Sequence, residues 1–298
     1  MVETLKTKNE EAYIGRKGEE ILIDILSSER KVIECIEKLT GKRLGNVKVA
    51  RGSHLSLWKT DVVLVGSTGE RVGISLKTFK ASARHDDHLD RRWLEESSGR
   101  AKPWSEVLEM PGEIVKIFRE GILRMAAGES ESLVPNRSDQ QKIIKFLLEG
   151  EVIKRLLKEA FRNGEGNLLI LALLEYNEDN GESKLCLFNL DEVIDFIVKD
   201  VREQGEKGIT FSGSRIRIGR FIVLQRKSGN GEHVKIPKTD PRHPGNQLQV
   251  KFMTQDFRDV AINQIGGCCF DFPIGGCCFD FPKFPAKPTH KSLMNYLK

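Results

Sequence analysis

Residues 9–27 place Ile14, Ile21, Leu22, Ile25 and Leu26 at helical spacing with charges between them, which predicts an amphipathic helix. A second helix is predicted over 30–39, ended by Gly41. The period then shortens to two. Residues 47–51 alternate, 61–65 form the run DVVLV, 67–70 (STGE) read as a turn, and 71–79 (RVGISLKTF) return as a strand. Composition and spacing make this a hairpin. Beyond it the pattern is polar and helical: a helix over 85–96, a loop at 99–103, a helix over 112–127, and one over 138–163 with Ser138 as its N-cap. Residues 168–176 hold the longest apolar run, Leu168 to Leu174. They read as a buried strand that turns at 177–181 into a strand over 184–188. A helix over 191–203 follows. Strands are then predicted at 209–211, 215–218, 221–225 and 247–253, with a polar Gly/Pro-rich loop at 228–246 and a last helix at 254–263.

This order predicts an α/β fold, a mixed central sheet flanked by helices with a β-rich, basic C-terminal half. No linker-like stretch interrupts it, so residues 1–264 read as one domain, with a core at about 10–100, recognition elements at about 205–260, and a Cys-rich tail over 265–298. The chain has 298 residues, 39% hydrophobic and 31% charged, which excludes disordered and low-complexity classes. A seven-residue apolar run is far short of the roughly 20 that span a bilayer. The N-terminal stretch is polar and lacks a leader-type apolar segment, so the expectation is a cytoplasmic protein without membrane association.

The net charge of +5 is unevenly placed. Between Ser214 and Arg258 ten basic residues face three acidic ones, leaving the rest of the chain slightly acidic. Such a local excess favours a polyanionic partner. The tail repeats IGGCCFDFP without change at 265–273 and 274–282, and holds Cys268, Cys269, Cys277 and Cys278. Adjacent cysteines lack the spacing of zinc sites. A cytoplasmic setting disfavours disulfides, so Cys35 and Cys186 are expected to be small core residues.

Chemistry concentrates in the hairpin. Asp61 opens one strand and Lys77 lies toward the end of the next, positions that an antiparallel pair can set side by side. The carboxylate suits a hard divalent cation, and the lysine suits a water or a phosphate. This arrangement resembles the PD-(D/E)XK nuclease superfamily, and among its members the type II restriction endonucleases. The helix segment GEEILIDIL (18–26) is similar to the first helix of archaeal Holliday-junction resolvases, which contributes a glutamate; Glu19 is the matching position. Thr60 stands in place of the usual proline and Ser75 in place of the second acid. Some restriction endonucleases with serine there take the acid from the following helix. The matching residue is Asp90, with Asp86, Asp87 and Glu95 close by.

The resemblance therefore implies catalytic residues Asp61, Lys77, Glu19 and Ser75, and Mg2+ (or Mn2+) held by Asp61, Glu19, Asp90 and the carbonyl of Leu76. It also implies 5′-phosphate products and, for a palindromic site, a homodimer. Double-stranded DNA is the expected partner. Lys80, Arg215, Arg217, Gln225, Arg226, Lys227, Asn246, Gln247, Gln249 and Lys251 are the candidate contacts, since Arg, Lys, Gln and Asn suit phosphates and base edges. His85 and His88 flank two aspartates but read as a solvated helix start, and Trp93 and Trp104 as packing residues. Two other functions stay open at this point: a structure-selective nuclease such as a junction resolvase, and a non-catalytic DNA-binding protein, which Ser75 favours.

Overall fold

A computed structural model describes residues 10–52, 59–81, 86–97, 101–177, 182–229 and 234–273. Helices α1 (Glu10–Ser28) and α2 (Arg30–Thr40) open the chain, and α2 stops at Gly41 in the left-handed region (φ 68°). Strands β1 (Val47–Arg51), β2 (Val62–Gly66), β3 (Arg71–Lys80) and β4 (Asp87–Arg92) follow. Helices α3 (Trp104–Val107), α4 (Gly112–Ala127), α5 (Arg137–Leu148) and α6 (Val152–Arg162) lead to β5 (Leu168–Asn177) and β6 (Glu182–Asn189). After α7 (Leu190–Gln204) come β7 (Ile209–Ser212), β8 (Arg215–Ile218), β9 (Ile222–Arg226) and β10 (Leu248–Phe252). The last elements are α8 (Thr254–Gln264) and β11 (Cys268–Pro273).

The strands form two sheets. The first runs β1-β2-β3-β5-β6-β11 and is antiparallel except for the β3–β5 pair; the second runs β4-β10-β9-β8-β7 and is antiparallel throughout. Alternation along β3 divides its side chains between two cores. Ile74 and Leu76 pack with Leu22, Ile25 and Ile36 of α1 and α2. Ser75 and Lys77 face the other way. On that side Leu171, Phe188, Trp104, Phe161 and Phe252 join the first sheet, the helices and the second sheet in one core. The apolar run of β5 lies between both cores, which is why it shows no alternation. Trp104 is fully buried and its Nε1–H donates to the Leu248 carbonyl (3.0 Å), tying α3 to the second sheet.

The predicted hairpin is β2–β3, with Val62 opposite Ile74. Three other expectations need correction. The helix expected over 85–96 is strand β4. Its register on β10 jumps from Val250–Asp90 to Lys251–His88, a bulge that leaves both Leu89 and Asp90 buried. That bulge breaks period two and hides the strand from a pattern reading. The helix expected over 138–163 is two, α5 and α6, separated at Gly150 (φ 52°); Asn136, not Ser138, caps α5 by accepting the Ser138 N–H at 2.8 Å. Finally, the cysteines are paired. The first copy of the tail repeat supplies β11, which adds antiparallel to β6. Successive strand residues point to opposite faces. Cys268 therefore reaches Cys35 on α2, while Cys269 reaches Cys186 directly across the ladder (Cα–Cα 4.1 Å), and both pairs form disulfides. His85 and the second repeat copy lie outside the described residues.

Candidate active site at the sheet junction

Asp61 immediately precedes β2 and lies opposite Ser75. Its N–H donates to the Ile74 carbonyl (2.9 Å). Its Oδ2 accepts the Leu76 N–H at 2.6 Å and stands 3.4 Å from the Ser75 hydroxyl. β2 begins just after Asp61, so among the described residues β3 pairs with no strand on this side from residue 75 onward. N–H and C=O of one strand residue leave the same edge, so the Leu76 carbonyl also faces it. Lys77 shares the Ser75 face and its Nζ reaches the His88 carbonyl on β4 (3.5 Å). Burial pushes the Asp61 carboxyl above the ordinary aspartate range, opposed by the nearby Lys77 charge and the two hydrogen bonds to Oδ2. Asp61, Ser75 and Lys77 are thus gathered at one point where the two sheets meet.

Glu19 and Asp90 are placed differently. Helix α1, which carries Glu19, packs on the opposite face of β3, where Gly18 leaves no room for a Cβ against Thr78. Asp90 sits in strand β4, 8% exposed, and is held by cations. Arg92 donates to its Oδ2 (2.9 Å from Nε, 2.7 Å from Nη2) and Lys59 Nζ lies 3.2 Å from Oδ1. Asp86 is paired with Arg215 and Lys251, Asp87 accepts from Thr254, and Glu95 binds Arg119. Among the described residues, no group of three or more His, Cys, Asp or Glu is gathered for a metal ion.

Several participants escaped the sequence reading. Arg92 is 2% exposed, stacks on Trp104 (5.0 Å), and donates to Glu159 and Asn163 (2.8 Å each) besides Asp90. Lys59 donates to the Leu89 carbonyl (2.6 Å); burial lowers its pKa, with Asp90 opposing. Glu165, in the turn before β5, accepts from the Lys59 N–H and the Thr60 hydroxyl and so fixes the approach to Asp61. His88, which the sequence places in a solvated helix start, lies instead on β4 and keeps a solvent-accessible side. Desolvation of its ring, and then the charges of Lys59, Lys77 and Arg91, hold its imidazole down to about 4. No local motif marks these residues. Only reading 87–92 as a strand would have put Arg91 and Arg92 on opposite faces.

The DNA-contact candidates divide by face. Gln249 of β10 lies opposite both Arg91 of β4 and Gln225 of β9, and Gln225 lies opposite Arg215 of β8. These four residues form a row on the outward face. Lys251 and Arg217, two residues along their strands, share that face. Arg226 points inward, 8% exposed, with Nε and Nη2 on the Asn246 Oδ1 (3.1 and 2.8 Å). Asn246 in turn donates to the Lys238 and Asp240 carbonyls (2.7 and 2.8 Å), and Gln247 is 7% exposed. These three anchor the loop before β10, and their burial gives no support to base contact. Lys227 donates its N–H to the Gln247 carbonyl (2.8 Å), and Lys80 ends β3 opposite Tyr176.

The fold is that of a restriction endonuclease. A structure of the restriction endonuclease MspI with its cognate DNA superposes with a TM-score of 0.50 over 80% of this chain and 90% of that one, at 12% identity. No protein-family model and no curated protein matches the sequence. At this identity the likeness bears on architecture alone: a curled mixed sheet flanked by helices, the arrangement expected above. No helix among the described residues is long and apolar enough to cross a membrane.

Proposed function

We propose that this chain is a divalent-metal-dependent endonuclease that cuts double-stranded DNA at a specific sequence, of the type II restriction class. The observation that carries the reading is the meeting of Asp61 and Lys77 on one face of the β2–β3 hairpin, where the pairing of its described strands stops. The fold likeness to a DNA-bound restriction endonuclease supports it.

The donors present suit a hard cation. Asp61 offers a buried carboxylate whose charge lacks full compensation, and the Leu76 carbonyl faces the same edge. Mg2+ takes one or two protein oxygens and fills its remaining positions with water and phosphate. Bound by Asp61 and Leu76, Mg2+ or Mn2+ would polarise the scissile phosphate and stabilise the leaving oxygen. Glu19, whose Oε2 is buried, would join from α1, and Asp90 would join only by leaving Arg92 and Lys59. Lys77 orients the attacking water and offsets charge developing on the phosphate. Ser75 donates to Asp61 and adds no charge of its own. Products would carry 5′-phosphate ends, and two copies related by a two-fold axis would cut both strands of a palindrome.

Incubation with phage DNA and Mg2+, followed by sequencing of fragment ends, tests this directly. Discrete fragments with one common end sequence are expected. Asp61→Ala and Lys77→Ala should each lower cleavage by about two to three orders of magnitude with duplex affinity retained. Full activity in Asp61→Ala rejects the assignment. Cutting confined to branched DNA selects a junction resolvase. Ser75 favours one other reading, and sequence-specific retention on DNA without cutting in Mg2+ or Mn2+ would select that non-catalytic binder.

A further inference from the structure

The outward face of the second sheet carries a graded row: arginine, glutamine, glutamine, arginine, on β4, β10, β9 and β8 in turn. Resting on the DNA-acting reading, the geometry points to this row as the sequence-reading surface, with Gln225 and Gln249 on purine edges in the major groove and Arg91 and Arg215 on the phosphates of its two walls.

Three observations carry it. The first is width. Strands in a sheet lie about 4.8 Å apart, so the outer two of four are about 14 Å apart. The major groove is about 12 Å wide. The row thus spans the groove, with its central side chains above the opening and its outer ones above the rims. The second is chemistry. Gln225 Nε2 donates to Gln249 Oε1 (3.2 Å), which leaves the Gln249 amide N–H groups and the Gln225 carbonyl free. Together these offer donors to purine N7 and an acceptor to an exocyclic amine. The arginines have no such pairing with each other and suit bidentate phosphate contact. The third is continuity. The inner face of the same strands is sealed in the core by Leu248, Val250, Ile216 and Leu224. The edge strand β4 supplies the His88 carbonyl that Lys77 touches, so the row begins beside the Asp61 site. Asp86, the acid paired with Arg215 (2.6 Å), holds that guanidinium until phosphate competes for it.

Selection from a random-sequence duplex pool, with Ca2+ in place of Mg2+, reads the roles separately from cleavage. The wild type is expected to enrich one motif. Gln225→Ala/Gln249→Ala should still bind, with purine preference relaxed about tenfold to a hundredfold at two positions, and with an unchanged salt slope. Arg91→Ala should keep the motif and lower the slope of log affinity against log salt by about one. Gln249→Glu preserves side-chain shape and should reject the motif; circular dichroism melts of all variants report folding. An unaltered motif in a folded double-glutamine variant, or a motif change in Arg91→Ala, overturns the row while leaving the nuclease reading intact. Failure of the wild type to bind any duplex removes both.

Discussion

Ser75→Asp places a second carboxylate beside Asp61, and its energetic consequence can be worked from the geometry. The Ser75 hydroxyl is 3.4 Å from Asp61 Oδ2 and the residue is 5% exposed. Two unit charges at that separation, with an effective dielectric constant of about 20, repel by about 5 kcal/mol. This is a large share of the roughly 5–15 kcal/mol that stabilises a domain. Without a cation, the variant should unfold at much lower urea than the wild type. The pH dependence has a definite sign. Asp61 already has a raised folded-state pKa, and a second carboxylate raises the pair further. The folded variant then binds more protons than its unfolded chain, so its stability recovers as pH falls and is lost as pH rises through the raised value. Mg2+ should restore the variant far more than the wild type, by about 2.7 kcal/mol at one hundred times its dissociation constant. Urea titrations in EDTA and in Mg2+, near pH 5 and near pH 8, measure all of this. If the variant in EDTA near pH 8 matches the wild type, or if Mg2+ stabilises both equally, these two side chains are not adjacent and the site is misassigned.

Other consequences are open to measurement. Arg92→Met leaves the buried Asp90 carboxylate with Lys59 as its remaining cation, takes a partner from the half-buried Glu159, and should cost about 3–5 kcal/mol in urea unfolding; a loss below about 1 kcal/mol would contradict the network. The His88 imidazole should titrate near 4 by NMR, neutral at pH 7. Because that value lies below the unfolded one, stability should fall as pH drops from about 6.5 toward 4, and His88→Gln should flatten that part of the profile. Peptide mapping without reductant should find Cys35 joined to Cys268 and Cys186 to Cys269. Cys268→Ser or Cys269→Ser should each cost about 2–4 kcal/mol, and four free thiols would refute the pairing.

Local physics made much of this chain legible. Period two in 61–79 located the hairpin, because a strand with one face in a core must alternate; with it came Asp61, Ser75 and Lys77 in their relative positions. Helical spacing located α1, α2, α4 and α7, and the unbroken apolar run marked β5 as buried on both faces. The residues that surround the site followed no such rule. β4 is polar, bulged and laid against a strand some 160 residues away, so neither propensity nor period announced it. Asp90, Arg92 and Lys59 are buried charges, tolerable only because distant segments bring opposite charges to them, and a linear pattern holds no record of those partners. Arg226 and Gln225 are neighbours in sequence and point to opposite faces, one into a loop anchor and the other outward, a division that depends on which face the core covers. The cysteines paired for the same reason: adjacent residues on an edge strand turned to opposite faces and met α2 and β6. Periodicity encodes which way a residue faces within its own element, whereas the identity of what it faces is settled only when the sheets assemble.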